Sequence, residues 1–161
     1  MKKIKLTQGK VALVDDCMFE YLNKHKWCAH KHGNTYYAVR NSKTINGKRE
    51  MILMHRAVFR KTTKGMMMID HINHDGLDNQ RANLREVTSQ QNQMNRKSNI
   101  NSSSKYKGVY WNKRDCKWQA TIRINGKTKH LGLFDDEILA AKTYDKAAKK
   151  YFGEFACLNF K

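Results

Sequence analysis

Short apolar runs and alternating apolar and polar positions predict a β-rich first part of the chain. The predicted strands are residues 10–14, 36–40, 51–54, 66–71 and 84–87. Asn46-Gly47 favours a tight turn that would join the second of these strands to the third. Short helices are predicted after Asp16, over 55–60 and over 89–96, the last because Thr88 and Gln91 match a capping box.

The pattern changes around residue 98, where a polar run almost without apolar side chains predicts a linker over 98–104. Three further strands are predicted beyond it, at 108–112, 118–124 and 129–134, with a tight turn at Asn125-Gly126. Asp135 and Asp136 then favour a helix start, and Gly153 favours its end. Apolar side chains recur at helical spacing between these points, and we expect them to pack: Ile138, Ala141, Tyr144, Ala148 and Tyr151.

These elements together predict an α+β fold in two parts. The first is a β-rich N-terminal region over residues 1–97, and the second is a module over 105–161 in which a three-stranded antiparallel sheet packs on one helix. A chain of 161 residues is long enough for two such small domains, each with a modest core.

The charge of the chain points to a polyanionic partner. There are 32 Lys and Arg against 14 Asp and Glu, which gives a formal net charge of +18. Residues 1–65 carry +11 and residues 95–130 carry +9, whereas residues 66–94 carry −2. This balance argues against an ordinary metabolic enzyme with a small-molecule substrate and predicts a nucleic acid as the partner.

No apolar run approaches the ~20 residues that a membrane span needs, and the basic N-terminus lacks the apolar segment of a signal peptide. We therefore expect no membrane association and an intracellular location, in the cytoplasm of a bacterial or phage-infected cell. The four cysteines are widely scattered, with no paired spacing typical of zinc sites or dense disulfides.

The densest set of chemically active side chains lies between residues 70 and 86, with six carboxylates or imidazoles. Phosphodiester hydrolysis requires a base that activates water and a divalent cation that offsets phosphate charge. Asp70 and Asn92 offer the oxygen ligands that Mg²⁺ or Mn²⁺ prefers, and His71 offers a base near neutral pH.

This stretch resembles the HNH homing endonucleases of phage and intron origin through His55-Arg56, residues 70–76, Asp78-Asn79, Asn83-Leu84-Arg85 and Gln91-Asn92. The resemblance implies a ββα-metal nuclease centre with its core over 51–97 and one divalent ion. It implies that His71 is the general base, that Asp70 and Asn92 bind the metal, and that Asn83 orients the His71 ring and braces the loop. His55 could either polarise this site or pack beside Arg56.

A second resemblance covers residues 104–160 and rests on residues 106–111, 117–123, 131–134, 140–148 and 158–160. These segments are similar to the DNA-binding domain of plant ethylene-response-factor (APETALA-type) proteins, in which the sheet lies in the major groove. Trp111 and Trp118 are expected in its core. Strand alternation predicts which side chains face the DNA: Lys107, Tyr110, Asn112, Arg114, Gln119, Thr121, Arg123, Thr128 and His130.

The sequence therefore predicts a monomeric endonuclease that cuts double-stranded DNA. The alternative is a non-catalytic, sequence-specific DNA-binding regulator that keeps the HNH segment only as a scaffold. Trp27, Tyr36-Tyr37 and the basic residues of the first 50 positions favour a further DNA-facing sheet.

Overall fold

The computed structural model describes residues 1–42, 49–59, 67–98 and 102–160. The chain divides into two compact units, Met1–Ser89 and Gln90–Lys161. Several small antiparallel sheets and, within the described ranges, four α-helices confirm the mixed α+β class. The predicted turn at Asn46-Gly47 and residues 99–101 of the predicted linker lie outside the described residues.

Within its described residues, the first unit contains three antiparallel sheets and two short helices. Its strands are β1 (Lys2–Lys5), β2 (Val11–Val14), β3 (Cys28–His32), β4 (Thr35–Asn41), β5 (Met51–Leu53), β6 (Met67–His71) and β7 (Leu84–Thr88). Strand β1 pairs with β2, β4 lies between β3 and β5, and β6 pairs with β7. The helices are α1 (Asp16–Asn23) and α2 (Met54–Phe59).

One hydrophobic core holds this unit together, although its strands are short and basic. Strands β1 and β3 were not predicted, because each buries a single side chain, Ile4 and Ala29, among lysines and histidines. Such strands lack the alternation that marks a strand in sequence. The core itself draws on residues from distant parts of the chain: Ile4, Ala12, Val14, Leu22, Trp27, Ala38, Met54, Val58 and Leu84.

The second unit contains the predicted three-stranded sheet and its helix. Its elements are the C-terminal part of α3 (Ser89–Asn95), then β8 (Val109–Asn112), β9 (Lys117–Ile124), β10 (Lys127–Phe134) and α4 (Glu137–Phe152). Strand β9 is central, and the sheet is antiparallel throughout. The Asp136 side chain caps α4 by accepting a hydrogen bond from Leu139 N at 2.7 Å.

Helix α4 packs against the sheet through small side chains and two aromatic rings. Its buried apolar residues are Ala140, Ala141, Tyr144, Ala148 and Phe152. The predicted apolar stripe is wrong at both ends, because Ile138 is 46% exposed and Tyr151 is 37% exposed. Trp111 was also expected in the core, yet it is 39% exposed and meets Trp118 edge to face at the sheet surface.

Among the described residues, no helix combines the length and the apolar character needed to cross a membrane.

Candidate functional site

Asp70 and His71 are the last two residues of β6, where the chain leaves the β6–β7 pair and enters a polar loop. Both are largely buried, with 9% and 5% exposure. Asp70 lies directly opposite Arg85 on β7. Its Oδ2 accepts hydrogen bonds from Arg85 Nε and Nη2, both at 3.2 Å. This charge-assisted pair holds the carboxylate in one orientation.

The His71 ring belongs to a cluster of three rings. Its centroid lies 5.0 Å from that of His55, at an interplanar angle of 89°. The Tyr37 ring lies 5.7 Å from His71 and 5.8 Å from His55. Because these residues come from β6, α2 and β4, three elements restrict the ring through edge-to-face packing.

Burial keeps both imidazoles neutral. It lowers the pKa of His71 below the usual value, against the opposing effects of a hydrogen bond with the Asn79 side chain and of nearby carboxylates. Burial also lowers the pKa of His55 to about 3, and the positive form of His71 adds to that shift. A neutral imidazole is the form that can accept a proton, so the ring state at pH 7 is suited to a general base.

We expect the first unit to lose stability as the pH falls below 6.5. The unfolded chain protonates His55 near pH 6.5 but the folded chain only near pH 3, so the unfolded state binds more protons in between. Going from about pH 7.5 to about pH 4.5 should cost about 2 to 3 kcal/mol of unfolding free energy from this residue alone. Urea unfolding followed through methyl NMR signals of Val14 and Leu22 measures the loss.

His55→Phe is the control for this effect, because it keeps a ring in the cluster and removes the titrating group. Its unfolding free energy should depend less on pH by about the same 2 to 3 kcal/mol. An identical pH dependence in the two proteins would contradict the assignment to His55.

Side-chain hydrogen bonds fix the loop of residues 72–83. Asn83 Nδ2 donates to Asn73 Oδ1 at 3.0 Å and to the Asp78 carbonyl at 2.9 Å. Asn83 Oδ1 accepts from Asn73 N at 3.0 Å. These bonds brace the loop, as the sequence predicts for Asn83. The Asn79 side chain, which is 1% exposed, hydrogen-bonds His71, and orientation of the His71 ring by Asn83 stays a prediction.

Strand β2 and the start of α1 hold the same loop from outside. Leu13 N donates to the Leu77 carbonyl at 2.9 Å, and Asn79 N donates to the Leu13 carbonyl at 2.8 Å. Arg81 N donates to Asp15 Oδ2 at 2.7 Å. The loop that follows His71 is thus attached to the N-terminal part of the chain by two main-chain bonds and one bond to a carboxylate, which constrain its path.

Strand β4 forms a further contact with the loop at Gly76. Gly76 N donates to Thr35 Oγ1 at 3.1 Å. A Cβ at Gly76 would lie 2.4 Å from the Tyr36 carbonyl oxygen and 2.8 Å from the Tyr37 ring, so only glycine permits this approach. Residues of the first 42 positions therefore help to build the site around His71.

Asn92 lies half-buried on α3, in the part of this helix that belongs to the second unit. The described residues contain no cluster of three or more His, Cys, Asp or Glu side chains able to hold a metal. The predicted donors are instead the Asp70 carboxylate and the Asn92 amide, which are hard oxygen ligands. Mg²⁺ prefers oxygen donors of this type, and metal binding by Asp70 and Asn92 stays a prediction.

The exposed face of the three-stranded sheet follows from its register. Directly opposed residues point to the same side of a sheet, and β9 places Ala120 and Ile122 on the buried side. The opposite face therefore gathers three cross-strand rows: Tyr110–Gln119–Leu133, Thr121–His130 and Arg123–Thr128. These rows include six of the nine residues predicted to face DNA, and their contact with DNA stays a prediction.

The other three residues make contacts within the second unit. Lys107 Nζ donates to the Met94 carbonyl. Asn112 Nδ2 donates to Asp115 Oδ2 at 2.9 Å, and Arg114 pairs with Asp115 Oδ1 at 3.1 Å. DNA contact by these side chains also stays a prediction.

Sequence reasoning assigned Tyr37, Asn79 and Arg85 no role at the His71 site, although it quoted Asn79 and Arg85 in the HNH motif. The position of Arg85 could have been predicted from the sequence. If the strands predicted at 66–71 and 84–87 pair as neighbours across their loop, Arg85 lies opposite Asp70, as it does in the structure. The role of Tyr37 could not have been predicted in this way, since it reaches His71 only through tertiary packing. The role of His55 was left open by the sequence, and the structure buries it against His71.

Comparison with known proteins agrees with both halves of this description. A family model described as HNH endonuclease matches residues 53–94, and one described as AP2 domain matches residues 104–154. The chain is 31% identical over 156 residues to an uncharacterized HNH endonuclease of Acanthamoeba polyphaga mimivirus, covering 94% of this chain and 76% of the relative.

The C-terminal part alone is similar to plant proteins. Over 58 residues, 36% of this chain, it is 43% identical to an AP2-like ethylene-responsive transcription factor of Arabidopsis thaliana and to an APETALA2-like protein of Oryza sativa. The match covers only 12% and 13% of those plant proteins. The chain belongs to the HNH endonuclease family, with its HNH endonuclease domain fused to an AP2 domain.

Proposed function

We propose that this protein is a homing-type endonuclease that acts as a monomer and hydrolyses phosphodiester bonds of double-stranded DNA with one divalent metal ion. The observation that carries the proposal is the neutral, packed His71 imidazole beside the paired Asp70 carboxylate at the end of β6. Membership of the HNH endonuclease family supports it.

In this mechanism His71 accepts the proton of the attacking water, which lies in line with the departing oxygen. Asp70 and Asn92 are the proposed cation ligands, and Arg85 orients Asp70. When bound, Mg²⁺ or Mn²⁺ offsets negative charge on the phosphate and the departing oxygen. Asn83 braces the loop through its side-chain hydrogen bonds and thereby holds the His71 main chain at the end of β6.

The nuclease region, residues 1–97, and the DNA-holding module, residues 105–161, have separate tasks. The exposed rows of β8, β9 and β10 read or grip the major groove, which is wide enough for a sheet. Residues 95–130 supply a net charge of +9 for phosphate contacts.

Incubation of supercoiled plasmid and of phage and host genomic DNA with Mg²⁺, Mn²⁺ or a chelator tests the proposal. We expect nicked or linear products with either ion and none with the chelator. Salt-dependent DNA binding without strand scission under either ion would instead identify a DNA-binding regulator with an HNH scaffold.

Arg123→Ala should weaken DNA binding by about 1 to 3 kcal/mol if this exposed side chain reads a base, and should relax the sequence preference at one position. Arg123 lies on the exposed face, where its Nε donates to the Gly126 carbonyl at 3.2 Å. Fluorescence anisotropy at several salt concentrations measures the change. Lys146→Ala, which removes an exposed charge from α4, is the matched control. Equal affinities of the Arg123 variant and the wild type would remove Arg123 from the interface.

A further inference from the structure

The outer face of the three-stranded sheet in the second unit carries an amide side chain between two exposed apolar ones. Gln119 lies on the central strand β9, directly opposite Tyr110 on β8 and Leu133 on β10. Tyr110 and Leu133 are each 38% exposed, and Gln119 is half-buried. This row therefore offers hydrogen-bonding and apolar groups side by side to a ligand of the sheet.

A bulge in β10 places Leu133 on this face. The pairing of β10 with β9 shifts between His130 and Gly132, which leaves Leu131 as the extra residue. Without that shift, strand alternation from His130 would turn Leu133 toward the buried side of the sheet. Bulges commonly re-aim a side chain beside a functional site. The backbone itself thus exposes Leu133, and the alternation of the sequence does not reveal it.

The turn that joins β8 to β9 fixes the orientation of the Asn112 amide. Asn112 Oδ1 accepts main-chain hydrogen bonds from Arg114 N at 3.0 Å and from Asp115 N at 3.2 Å. Its Nδ2 donates to Asp115 Oδ2 and to Gln119 Oε1, both at 2.9 Å. Because a main-chain N–H only donates and an ionised carboxylate only accepts, the Asn112 amide cannot be turned around without losing these bonds.

Asn112 in turn fixes the Gln119 amide. Since the group that faces Gln119 is an N–H donor, the end of the Gln119 amide that meets it is the carbonyl oxygen Oε1. Within the described residues no group pairs with Gln119 Nε2, so its N–H donors remain for a ligand, and Oε1 keeps a second lone pair. The amide thus presents a donor and an acceptor in a fixed order, set by hydrogen bonds that start at the main chain.

A donor beside an acceptor matches the major-groove edge of adenine. Adenine presents an acceptor, N7, beside a donor, N6, and a glutamine amide can bind both at once. Guanine presents two acceptors there, which would set Oε1 against guanine O6. The thymine paired with adenine adds a methyl group, which apolar side chains contact. Neighbouring strands lie about 4.8 Å apart, so the row is about 10 Å across and fits a major groove about 12 Å wide.

We propose that Gln119 is a specificity-determining residue of the sheet: it binds N7 and N6 of an adenine in the major groove, with Leu133 against the methyl group of the paired thymine. Leu133 is assigned to the methyl group because its side chain is apolar to its end, whereas Tyr110 ends in a hydroxyl. Asn112 is a positioning residue that orients the Gln119 amide and does not touch the base. The inference rests on the proposed DNA-holding role of the second unit and does not depend on strand cleavage.

Selection of duplexes from a randomised DNA library by the full chain, with a chelator present, tests this inference. The wild type should favour an A·T pair at one position by about 5- to 150-fold, the discrimination that one bidentate contact gives. Gln119→Ala should lose that preference alone. Gln119→Glu should transfer it to cytosine, because a carboxylate accepts from cytosine N4. Gln93→Ala removes an exposed glutamine amide from α3 and is the matched control, which should select the wild-type sequence.

Base analogues in the selected duplex test the same contacts on the unaltered protein, so that a fold defect in a variant cannot mimic the result. 7-Deazaadenine lacks the N7 acceptor and should weaken wild-type binding by about three- to tenfold in fluorescence anisotropy. Deoxyuridine in place of thymidine removes only the methyl group and should weaken it by about two- to fivefold. The first effect should vanish in Gln119→Ala and the second in Leu133→Ala. In Asn112→Ala the amide loses its fixed orientation, so the first effect should shrink and the second should persist.

The outcomes separate this inference from the proposed function. If the wild type binds DNA without favouring an A·T pair, or binds 7-deazaadenine as well as adenine, the role of Gln119 is wrong and the DNA-holding role of the sheet stands. A full 7-deazaadenine effect in Asn112→Ala would remove the positioning role of Asn112. A wild type that binds no duplex overturns the DNA-holding role and the inference together, whereas plasmid cleavage reports on the nuclease centre separately.

Discussion

Replacing His71 by alanine should reduce strand cleavage by about 100- to 10,000-fold, the usual contribution of a positioned general base. The reason is that His71 is a neutral imidazole, held by the rings of His55 and Tyr37, next to a proposed metal ligand. Affinity for DNA should hardly change, because the exposed sheet rows of the second unit are untouched. Initial rates on supercoiled plasmid and anisotropy on the same DNA measure the two effects.

His74→Asn is the matched control for this variant. His74 lies in the same loop, three residues further on, with a φ of 66°, a conformation that asparagine also adopts readily. It should cleave DNA at a rate close to wild type. Cleavage by His71→Ala at the wild-type rate would remove His71 from the mechanism and favour the regulator.

Gly108→Ala should destabilise the second unit by about 2 to 5 kcal/mol. Gly108 has a φ of 75°, and a Cβ there would lie 2.1 Å from Tyr144 Cδ2 and 2.7 Å from the Thr121 carbonyl oxygen. The substitution therefore adds backbone strain of about 1 to 2 kcal/mol to overpacking of about 1 to 3 kcal/mol. Urea unfolding followed by the fluorescence of Trp118 measures the loss.

Gly126→Ala separates the two causes. Gly126 has a φ of 78°, but nothing lies within 4 Å of a Cβ built on it. It should therefore show the strain alone, about 1 to 2 kcal/mol. If the two alanine variants were equally destabilised, close packing at Gly108 would not contribute, and the tight contact between the start of β8 and α4 would be wrong.

The second unit was predictable because its signals are local. The alternation along β9 correctly distinguished the buried Ala120 and Ile122 from the exposed Arg123. The helix begins after Asp136 and ends at Gly153, as their capping chemistry predicts. The errors fall at exposed aromatic and aliphatic positions, Trp111, Ile138 and Tyr151. Hydrophobicity alone does not predict which large side chains become buried between the sheet and the helix. Their burial depends on the distance between the helix and the sheet, which the small alanine side chains of the helix set.

The first unit was less predictable because its stabilising contacts are distant in sequence. Strand β1 buries only Ile4, and its pairing with β2 completes a core that also takes Leu84 from far along the chain. The loop after His71 likewise depends on Leu13 and Thr35. Contacts between distant segments produce no hydrophobic periodicity in the sequence around the residues that they hold in place.

For this protein, then, the sequence by itself determined the family resemblance and the chemistry that the resemblance predicts. It placed Asp70, His71, Asn83 and Asn92 in the pattern of an HNH nuclease, and it located the positive charge away from them, because residue type and spacing are local properties. The tertiary structure alone decided the surroundings: it buried His55 and Tyr37 against His71 and packed Met94 of the Asn92 helix on the AP2 core. These facts depend on contacts between distant segments, and it is burial there that sets the charge of an imidazole and the order of a seven-residue helix.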